Sequence, residues 1–235
     1  MTTPPPEAKR RTEYDRWLNR PGLSSLAIRW AMSTAGQWAV NTPLMRIPEH
    51  FDLKPDQRWL DIGCGRGALL RFIDSRVRFD RAPVGLDFSA AALRLARADA
   101  EGRAGPELAQ GTATALPFED ESFHLVTCGY LVKHLADAEL DAMLVEVRRV
   151  LVGGGLALIW EFAPTGSARL DAWNRWVLSR GVGDPQLRPV RTLLAHATAA
   201  GYEHVRNAQL RPFLLPPIPR ASMLIGKAPA GWRPS

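Results

Sequence analysis

The sequence predicts an α/β protein with a mostly parallel seven-stranded sheet, helices on both faces and an antiparallel C-terminal hairpin. Three observations carry this prediction. Short buried strands alternate with amphipathic helices from residue 58 onward, a pattern that builds parallel sheets. A glycine-rich turn, residues 63–67, links the first strand to its helix. The last two strands, at 202–209 and 221–227, are joined by a proline-rich segment too short for a crossover helix, so they should pair antiparallel.

The elements follow in a regular order along the chain. The first five predicted strands are 58–62, 83–87, 107–110, 122–128 and 156–162, and the predicted helices are 67–77, 90–100, 137–151 and 190–200. Ser89 stands where a helix N-cap belongs, because its hydroxyl can accept a hydrogen bond from an early helical amide. The three glycines at 153–155 are expected to end the third helix.

Two segments fall outside this core and predict the domain boundaries. Residues 1–48 would form an N-terminal tail and helical lid, 49–228 the main domain with a lid insertion at 164–189, and 229–235 a C-terminal tail. Five of the eight tryptophans lie in the two lid segments: Trp17, Trp30, Trp38, Trp173 and Trp176. We expect these segments to cover the carboxyl edge of the sheet.

The bulk properties exclude several classes of protein. The chain has 235 residues, 46% of them hydrophobic and 23% charged, as expected for one soluble globular core. No apolar run approaches the roughly 18 residues that span a bilayer, and the N-terminus lacks the features of a secretory signal. The two cysteines have neither disulfide nor metal-ligand spacing. The sequence therefore predicts a cytoplasmic protein with no transmembrane segment and no metal.

The glycine-rich turn is the most informative segment. Residues 60–67 read Leu-Asp-Ile-Gly-Cys-Gly-Arg-Gly, and glycines at alternate positions let backbone N–H groups come close to a ligand. Asp61 directly precedes them. A carboxylate there would repel phosphate but suits a ligand with a cationic amino group.

Three further features should meet this turn at the carboxyl edge of the sheet, where open α/β sheets bind their ligands. Asp87 ends the second strand, 24 residues after Gly63, and its carboxylate could accept hydrogen bonds from both hydroxyls of a ribose. Residues 111–118 follow the third strand and could hold an adenine, and residues 128–130 end the fourth. Together they indicate a nucleoside site.

At this point the sequence resembles the class I S-adenosylmethionine-dependent methyltransferases, in the broad group that includes ubiquinone and menaquinone biosynthesis enzymes. The segments that carry the resemblance are 60–67, 85–89, 113–118, 122–126 and 146–155. It covers residues 50–162 closely and 190–228 in topology only. It implies a Rossmann-like fold, S-adenosyl-L-methionine as cofactor and methyl transfer as the reaction.

The resemblance and the strand positions together give a set of expected site residues. The glycine turn and Asp61 would hold the methionine end of the cofactor, Asp87 the ribose, and residues 88, 112 and 113 would border the adenine. The family usually has an acid where Thr112 stands, so the adenine amino group would meet a hydroxyl or a backbone carbonyl instead. The expected cofactor-binding residues are Asp61, Gly63, Cys64, Gly65, Asp87, Phe88, Thr112, Ala113, Cys128 and Tyr14. The alternatives are a tight turn for the glycines, buried fillers for the cysteines and helix packing for Tyr14.

Two residues are candidates for catalysis. His134 follows the fourth strand and could act as a general base, or as a structural hydrogen-bonding group. Glu161 ends the fifth strand and could orient substrate or form an ion pair. Trp173 and Trp176 lie three apart on one helical face and suggest either an apolar lid surface, hence an apolar or aromatic acceptor, or packing against the sheet.

Other functions fit the sequence less well. Residues 63–68 fit the fingerprint of nicotinamide-dependent oxidoreductases, but Asp61 and the antiparallel hairpin do not. A catalytically silent cofactor-binding scaffold is a second alternative. A nucleic-acid methyltransferase is a third: the net charge of +6 is scattered, and residues 128–131, Cys-Gly-Tyr-Leu, lack the Asn/Asp-Pro-Pro-Tyr motif. We therefore expect a small-molecule acceptor, and no sequence feature indicates an oligomeric state.

Overall fold

The structure is a computed structural model of the chain. It describes residues 12, 14–16, 53–100, 105–179, 184–210, 213–214 and 217–229. Most of the predicted N-terminal lid, including Trp17, Trp30 and Trp38, therefore lies outside the described residues.

The described elements follow the predicted order. The first half of the domain contains β1 (Trp59–Ile62), α1 (Ala68–Val77), β2 (Val84–Asp87), α2 (Ala90–Asp99), β3 (Glu107–Gln110) and β4 (Phe123–Gly129). The second half contains a 3₁₀ turn (Val132–His134), α3 (Asp137–Val150), β5 (Leu151–Phe162), α4 (Ala168–Ser179), α5 (Val190–Ala199), β6 (His204–Asn207), β7 (Phe213–Leu214), β8 (Pro217–Ile218) and β9 (Arg220–Gly226). The expected N-cap of α2 is confirmed, because the Ser89 side chain accepts a hydrogen bond from the amide of Ala92.

The seven-stranded sheet has the strand order β3-β2-β1-β4-β5-β9-β6. The first five strands pair in parallel, whereas β9 pairs antiparallel with both β5 and β6. The predicted fold class is thereby confirmed. Strand order reverses between β1 and β4, and ligands of open α/β sheets bind in the crevice at such a reversal.

Helices cover both faces of the sheet and create two apolar clusters. Adjacent residues of β4, Leu125 and Val126, belong to different clusters because side chains alternate across a strand. One cluster includes Met143 and Val147 of α3, and the other includes Leu70 of α1. Burial of each such aliphatic side chain contributes about 1.5–3 kcal/mol, so the two layers hold the sheet in place beneath the crevice.

The junction between α3 and β5 differs from the prediction. The glycines at 153–155 do not end the helix: α3 stops at Val150, and Leu151 is already extended as the first residue of β5. The glycines lie inside that strand, where its register with β4 shifts between Phe123 and Leu125. Gly154 has a φ of 84°, a conformation that glycine adopts without strain. A strand irregularity, not a helix cap, explains this sequence.

Two further elements were not predicted as such. The segment between β6 and β9 contains the short hairpin of β7 and β8, and the predicted lid insertion contains α4. Within the described ranges, no helix has both the length and the apolar character needed to cross a membrane.

Candidate active site

An open cleft with a volume of about 120 Å³ lies at the crevice between β1 and β4. Its lining residues are Tyr14, Ile62, Gly63, Leu86, Asp87, Phe88, Gly111, Thr112, Ala113, Gly129, Tyr130, Leu131, His134 and Leu135. Six of the ten expected cofactor-binding residues are in this set, together with the candidate base His134. The cleft has the largely apolar lining typical of small-ligand sites.

The glycine turn brings the backbone of residues 63–67 to the edge of this cleft. The φ angles of Gly63, Gly65 and Gly67 are 73°, 54° and 67°, which side-chain-bearing residues rarely adopt. The amides of Gly63 and Cys64 donate to the carbonyl of Leu86 at 2.8 and 3.0 Å, so the turn is anchored to β2. A β-carbon on Gly63 would lie 2.7 Å from the Leu131 side chain. Conformation and space therefore both require glycine at this position.

Asp87, at the end of the neighbouring strand β2, is hydrogen-bonded to the glycine turn. Its side chain is buried, and its two oxygens accept hydrogen bonds from the amides of Gly65 and Ser89, each at 2.8 Å. Burial raises its pKa to about 6, although these amide contacts lower it. Because each carboxylate oxygen can accept a second hydrogen bond, Asp87 can still bind hydroxyls of a ligand.

Asp61 lies beneath the turn and not on the cleft wall itself. It is 4% exposed and accepts a hydrogen bond of 2.7 Å from the Thr127 hydroxyl, which in turn accepts one of 2.9 Å from the indole N–H of Trp59. Burial raises the pKa of Asp61 to about 7, and the nearby Asp87 adds to this effect.

Asp61 and Asp87 form an acidic pair that lacks a protein cation. In the part of the chain that the structure describes, no lysine, arginine or histidine is ion-paired with either carboxylate. A bound cation would lower both pKa values and be stabilised in return. The residues therefore fit S-adenosylmethionine, which carries a sulfonium and an ammonium group.

The part of the cleft lined by Tyr14 and Phe88 suits a flat ring. Tyr14 and Phe88 contact each other with ring centroids 5.5 Å apart. Burial, followed by the charge of Asp87, raises the pKa of Tyr14 above its ordinary value, so this hydroxyl is neutral at physiological pH. The hydroxyl of Thr112 lies 2.9 Å from that of Thr114 and so belongs to the turn after β3.

Four of the expected cofactor-binding residues, Asp61, Cys64, Gly65 and Cys128, are not on the cleft wall. Gly65 acts through its amide on Asp87. Both cysteines are buried, and burial raises the pKa of both thiols well above the usual range. Thiols in this state are poor nucleophiles, which agrees with small buried fillers.

Glu161 also lies behind the wall, in a buried cluster with Tyr130, Lys133 and Arg220. The Glu161 carboxylate accepts a hydrogen bond from the Lys133 amide at 2.9 Å and lies 3.5 Å from the Lys133 ammonium. The ammonium also donates to the Tyr130 carbonyl. Burial lowers the pKa of Lys133, and the charge of Glu161 opposes this. Of the two roles that the sequence left open for Glu161, the geometry shows the ion pair.

Tyr130 connects this ion-paired cluster to the cleft. Its backbone has a φ of 57°, uncommon for a residue with a side chain. The Arg220 guanidinium donates to its hydroxyl at 2.8 Å, and its ring lies 4.6 Å from that of Phe162. The sequence placed residues 128–130 at this edge of the sheet, but Gly129 and Tyr130 were not among the individually expected binding residues.

His134 lines the cleft at the end of the 3₁₀ turn, and Arg188 holds that turn. The guanidinium of Arg188 donates to the carbonyls of Val132 and Leu135, at 3.1 and 2.7 Å, and to the Asp137 carboxylate, at 2.8 Å. This pairing lowers the pKa of Asp137. Arg188 is 51 residues from Asp137 in sequence, so no local pattern could have indicated it.

Comparisons with known proteins agree with this geometry. A family model described as a methyltransferase domain matches residues 60–155. The 2-phytyl-1,4-naphtoquinone methyltransferase of Thermosynechococcus vestitus is 34% identical over 146 residues, which is 62% of this chain and 61% of that protein. The predicted resemblance is confirmed: the family model and the relative are methyltransferases, and one solved structure similar to this chain was determined with S-adenosyl-L-methionine bound.

Two further proteins are similar to this chain over part of their length. The ubiquinone/menaquinone biosynthesis C-methyltransferase of Xanthomonas campestris is 38% identical over 114 residues, 47% of this chain and 44% of that protein. Phosphoethanolamine N-methyltransferase 2 of Haemonchus contortus, solved in complex with S-adenosyl-L-methionine, has a TM-score of 0.63 and 26% identity, covering 83% of this chain and 46% of the other. The chain therefore spans less than two thirds of the length of these relatives.

Proposed function

We propose that this protein moves a methyl group from S-adenosylmethionine to a ring carbon of a small hydroquinone with an apolar side chain. The observation that carries the proposal is the composition of the cleft, where Asp87 and the glycine turn face the apolar residues Leu131 and Leu135 beside His134. An apolar wall with one ionisable group suits an aromatic acceptor that must lose a proton. The relatives that act on quinone precursors, by their names, support this acceptor class.

The acidic pair and the glycine turn would hold the cofactor. Bound S-adenosylmethionine would supply a methyl group already activated by its sulfonium sulfur. The protein's remaining task is to orient the acceptor and exclude water, and orientation alone can supply about 7–11 kcal/mol of a barrier. Tyr130, Leu131 and Leu135 provide the apolar surface for this.

His134 would accept the proton of an acceptor hydroxyl. The resulting phenolate has more electron density at its ring carbons, which makes them nucleophilic. Loss of the hydrogen of the methylated ring carbon to solvent as a proton would then restore the aromatic ring. General-base assistance of this kind is typically worth about 10²–10⁴-fold in rate. Because Arg188 fixes the turn on both sides of His134, the imidazole is attached to a rigid backbone.

The proposal is tested by a transfer assay with tritium-labelled S-adenosylmethionine. The acceptors are reduced 1,4-naphthoquinones with and without an apolar side chain, and phosphoethanolamine serves as a polar control. We expect label in the ring of the apolar quinol and none in phosphoethanolamine. Binding of S-adenosylhomocysteine without any labelled quinol would instead support the silent scaffold.

Three finer predictions belong to this proposal. The acceptor is a small molecule and not a nucleic acid, because the names of the curated relatives refer to quinones. The cytoplasm is where we expect the protein to act. The lid role of residues 164–189 is likewise part of the proposal.

A further inference from the structure

The outer face of α4 is unusually apolar for a surface helix. Leu170, Trp173 and Trp176 are 55%, 54% and 47% exposed, and they are three of the four large hydrophobic residues found exposed among the described residues. The two indole rings contact each other, with centroids 4.9 Å apart. The tryptophans therefore do not pack against the sheet, one of the two arrangements that the sequence allowed.

The face of α4 opposite the tryptophans is less exposed and makes polar contacts within the protein. Asn174 is 5% exposed, and the Asp171 carboxylate accepts hydrogen bonds from the amide and the hydroxyl of Thr165, each at 2.7 Å. Residues three and four apart share a helix face, so Trp173 lies between Trp176 and the exposed Arg169. The solvent-facing side of α4 thus combines two indoles with a guanidinium.

We propose that this face docks α4 onto the headgroup region of a lipid bilayer that contains anionic lipid. Tryptophan side chains favour the boundary between headgroups and acyl chains. Arg169 would meet anionic headgroups, and the chain's net charge of +6 favours an anionic membrane surface over a neutral one. The proposal rests on the proposed function in one respect: a quinol with an apolar side chain partitions into the bilayer.

The size and position of the face favour a bilayer over a second copy of the chain. Two half-exposed indoles and one leucine offer on the order of 300–400 Å² of apolar surface. A stable protein interface needs about 800 Å² from each partner. In addition, α4 begins after only five residues beyond the end of β5, and that strand end belongs to the same sheet edge as the cleft. Docking through α4 would bring the cleft close to a membrane-dissolved acceptor.

The test is sedimentation of the full chain with vesicles of phosphatidylcholine alone or with 30 mol% phosphatidylglycerol. We expect wild type to bind the anionic vesicles more tightly. Trp173→Ser/Trp176→Ser should lower the partition coefficient by at least about 10-fold, and Arg169→Gln by about 5-fold on anionic vesicles only. Val145→Ser, which removes an equally exposed hydrophobic side chain from α3, is the matched control and should bind like wild type.

Thermal unfolding and titration with S-adenosylhomocysteine establish that each variant is folded. The proposal is overturned if folded wild type does not sediment with anionic vesicles, or if the double tryptophan variant sediments equally well. A wild-type dimer that the tryptophan substitutions dissociate, without vesicle binding, would also overturn it.

The outcome for the proposed function is separate. If wild type binds vesicles but no quinol is labelled, the docking surface is supported and the proposed acceptor is wrong. If a short-chain quinol is labelled but wild type does not bind vesicles, the acceptor is supported and the docking surface is wrong.

Discussion

Two groups of buried charges flank the cleft, and they are built in opposite ways. Among the residues that the structure describes, the acidic pair, Asp61 and Asp87, has only neutral hydrogen-bond donors around it. The ion-paired cluster on the other side places Lys133 against Glu161 and Arg220 against Tyr130. Both groups are almost fully buried, yet only the second contains its own counter-charge.

This difference indicates that the acidic pair binds a ligand, whereas the ion-paired cluster stabilises the wall of the cleft. A buried acid without a cation has a raised pKa because its charge is costly to bury, and a bound cation offsets that cost. A buried ion pair is already neutralised, so it gains little from a ligand, but it depends strongly on both partners. We therefore expect substitutions in the acidic pair to change affinity and those in the ion-paired cluster to change stability.

The largest effect is expected from Lys133→Met. This change leaves the Glu161 carboxylate buried without its cation, which typically costs about 3–5 kcal/mol of unfolding free energy. The double variant Lys133→Met/Glu161→Gln should recover most of that loss, and urea unfolding measures both. Affinity for S-adenosylhomocysteine should stay within about threefold of wild type at a temperature where each variant is folded. Equal losses in the single and double variants would contradict the description of this cluster as an ion pair.

Asp87→Asn should act on affinity instead. It keeps the shape of the side chain but removes the charge and one acceptor oxygen from a group held by two amides. We expect an affinity for S-adenosylhomocysteine at least about 100-fold weaker, equivalent to about 2.7 kcal/mol. Isothermal titration gives this value directly.

The control for Asp87→Asn is Asp99→Asn. That carboxylate lies on α2 and already pairs with Arg66 at 2.6 Å, so its removal should leave cofactor affinity unchanged. If Asp87→Asn bound within threefold of wild type, the cofactor assignment of the acidic pair would be wrong.

The pH dependence of cofactor binding also tests the ligand-binding role of the acidic pair. The pKa values of Asp61 and Asp87 are raised to about 7 and about 6, so the cofactor-free fold holds these protons more tightly than the unfolded chain does. Their contribution to stability therefore falls as pH rises from about 4 towards 7. A cation favours the ionised forms, so affinity for S-adenosylmethionine should rise by about 10-fold between pH 5.5 and 7.5.

S-adenosylhomocysteine, which lacks the sulfonium charge, provides the comparison for this experiment. Its affinity should rise less steeply over the same range. Asp61→Asn, which can still accept the Thr127 hydrogen bond, should flatten the profile for S-adenosylmethionine. Identical slopes for the two ligands would show that the acidic pair does not sense the sulfonium.

The acidic pair could be predicted from sequence and the ion-paired cluster only in part. Asp61, Asp87 and the glycine turn carry local signals, since each strand end and its following turn are adjacent in the chain. Strands and helices were placed within a few residues for the same reason. Arg188 was missed because its contacts span more than 50 residues.

One wrong prediction and one alternative that the sequence left open have the same physical origin. The glycines at 153–155 satisfy a helix end and a strand irregularity equally well, and only the register between β4 and β5 decides between them. The pattern of Trp173 and Trp176 indicates a shared helix face but not whether that face turns inwards. The half-exposed indoles and the buried Asn174 on the other side of α4 decide that question.

The smallest effect is expected at Thr112, where the family usually has an acid. Its hydroxyl accepts from the Thr114 amide at 3.3 Å and lies 2.9 Å from the Thr114 hydroxyl, so it is committed to the turn after β3. Thr112→Ala should therefore weaken S-adenosylhomocysteine binding by less than about threefold, in the range of one neutral hydrogen bond or below. Thr112→Ser, which keeps the hydroxyl, should match wild type in the same titration. If Thr112→Ala instead lowered the affinity for S-adenosylhomocysteine more than tenfold and Thr112→Ser restored it, the hydroxyl would contact the adenine. The residues that bind the cofactor would then include the turn after β3.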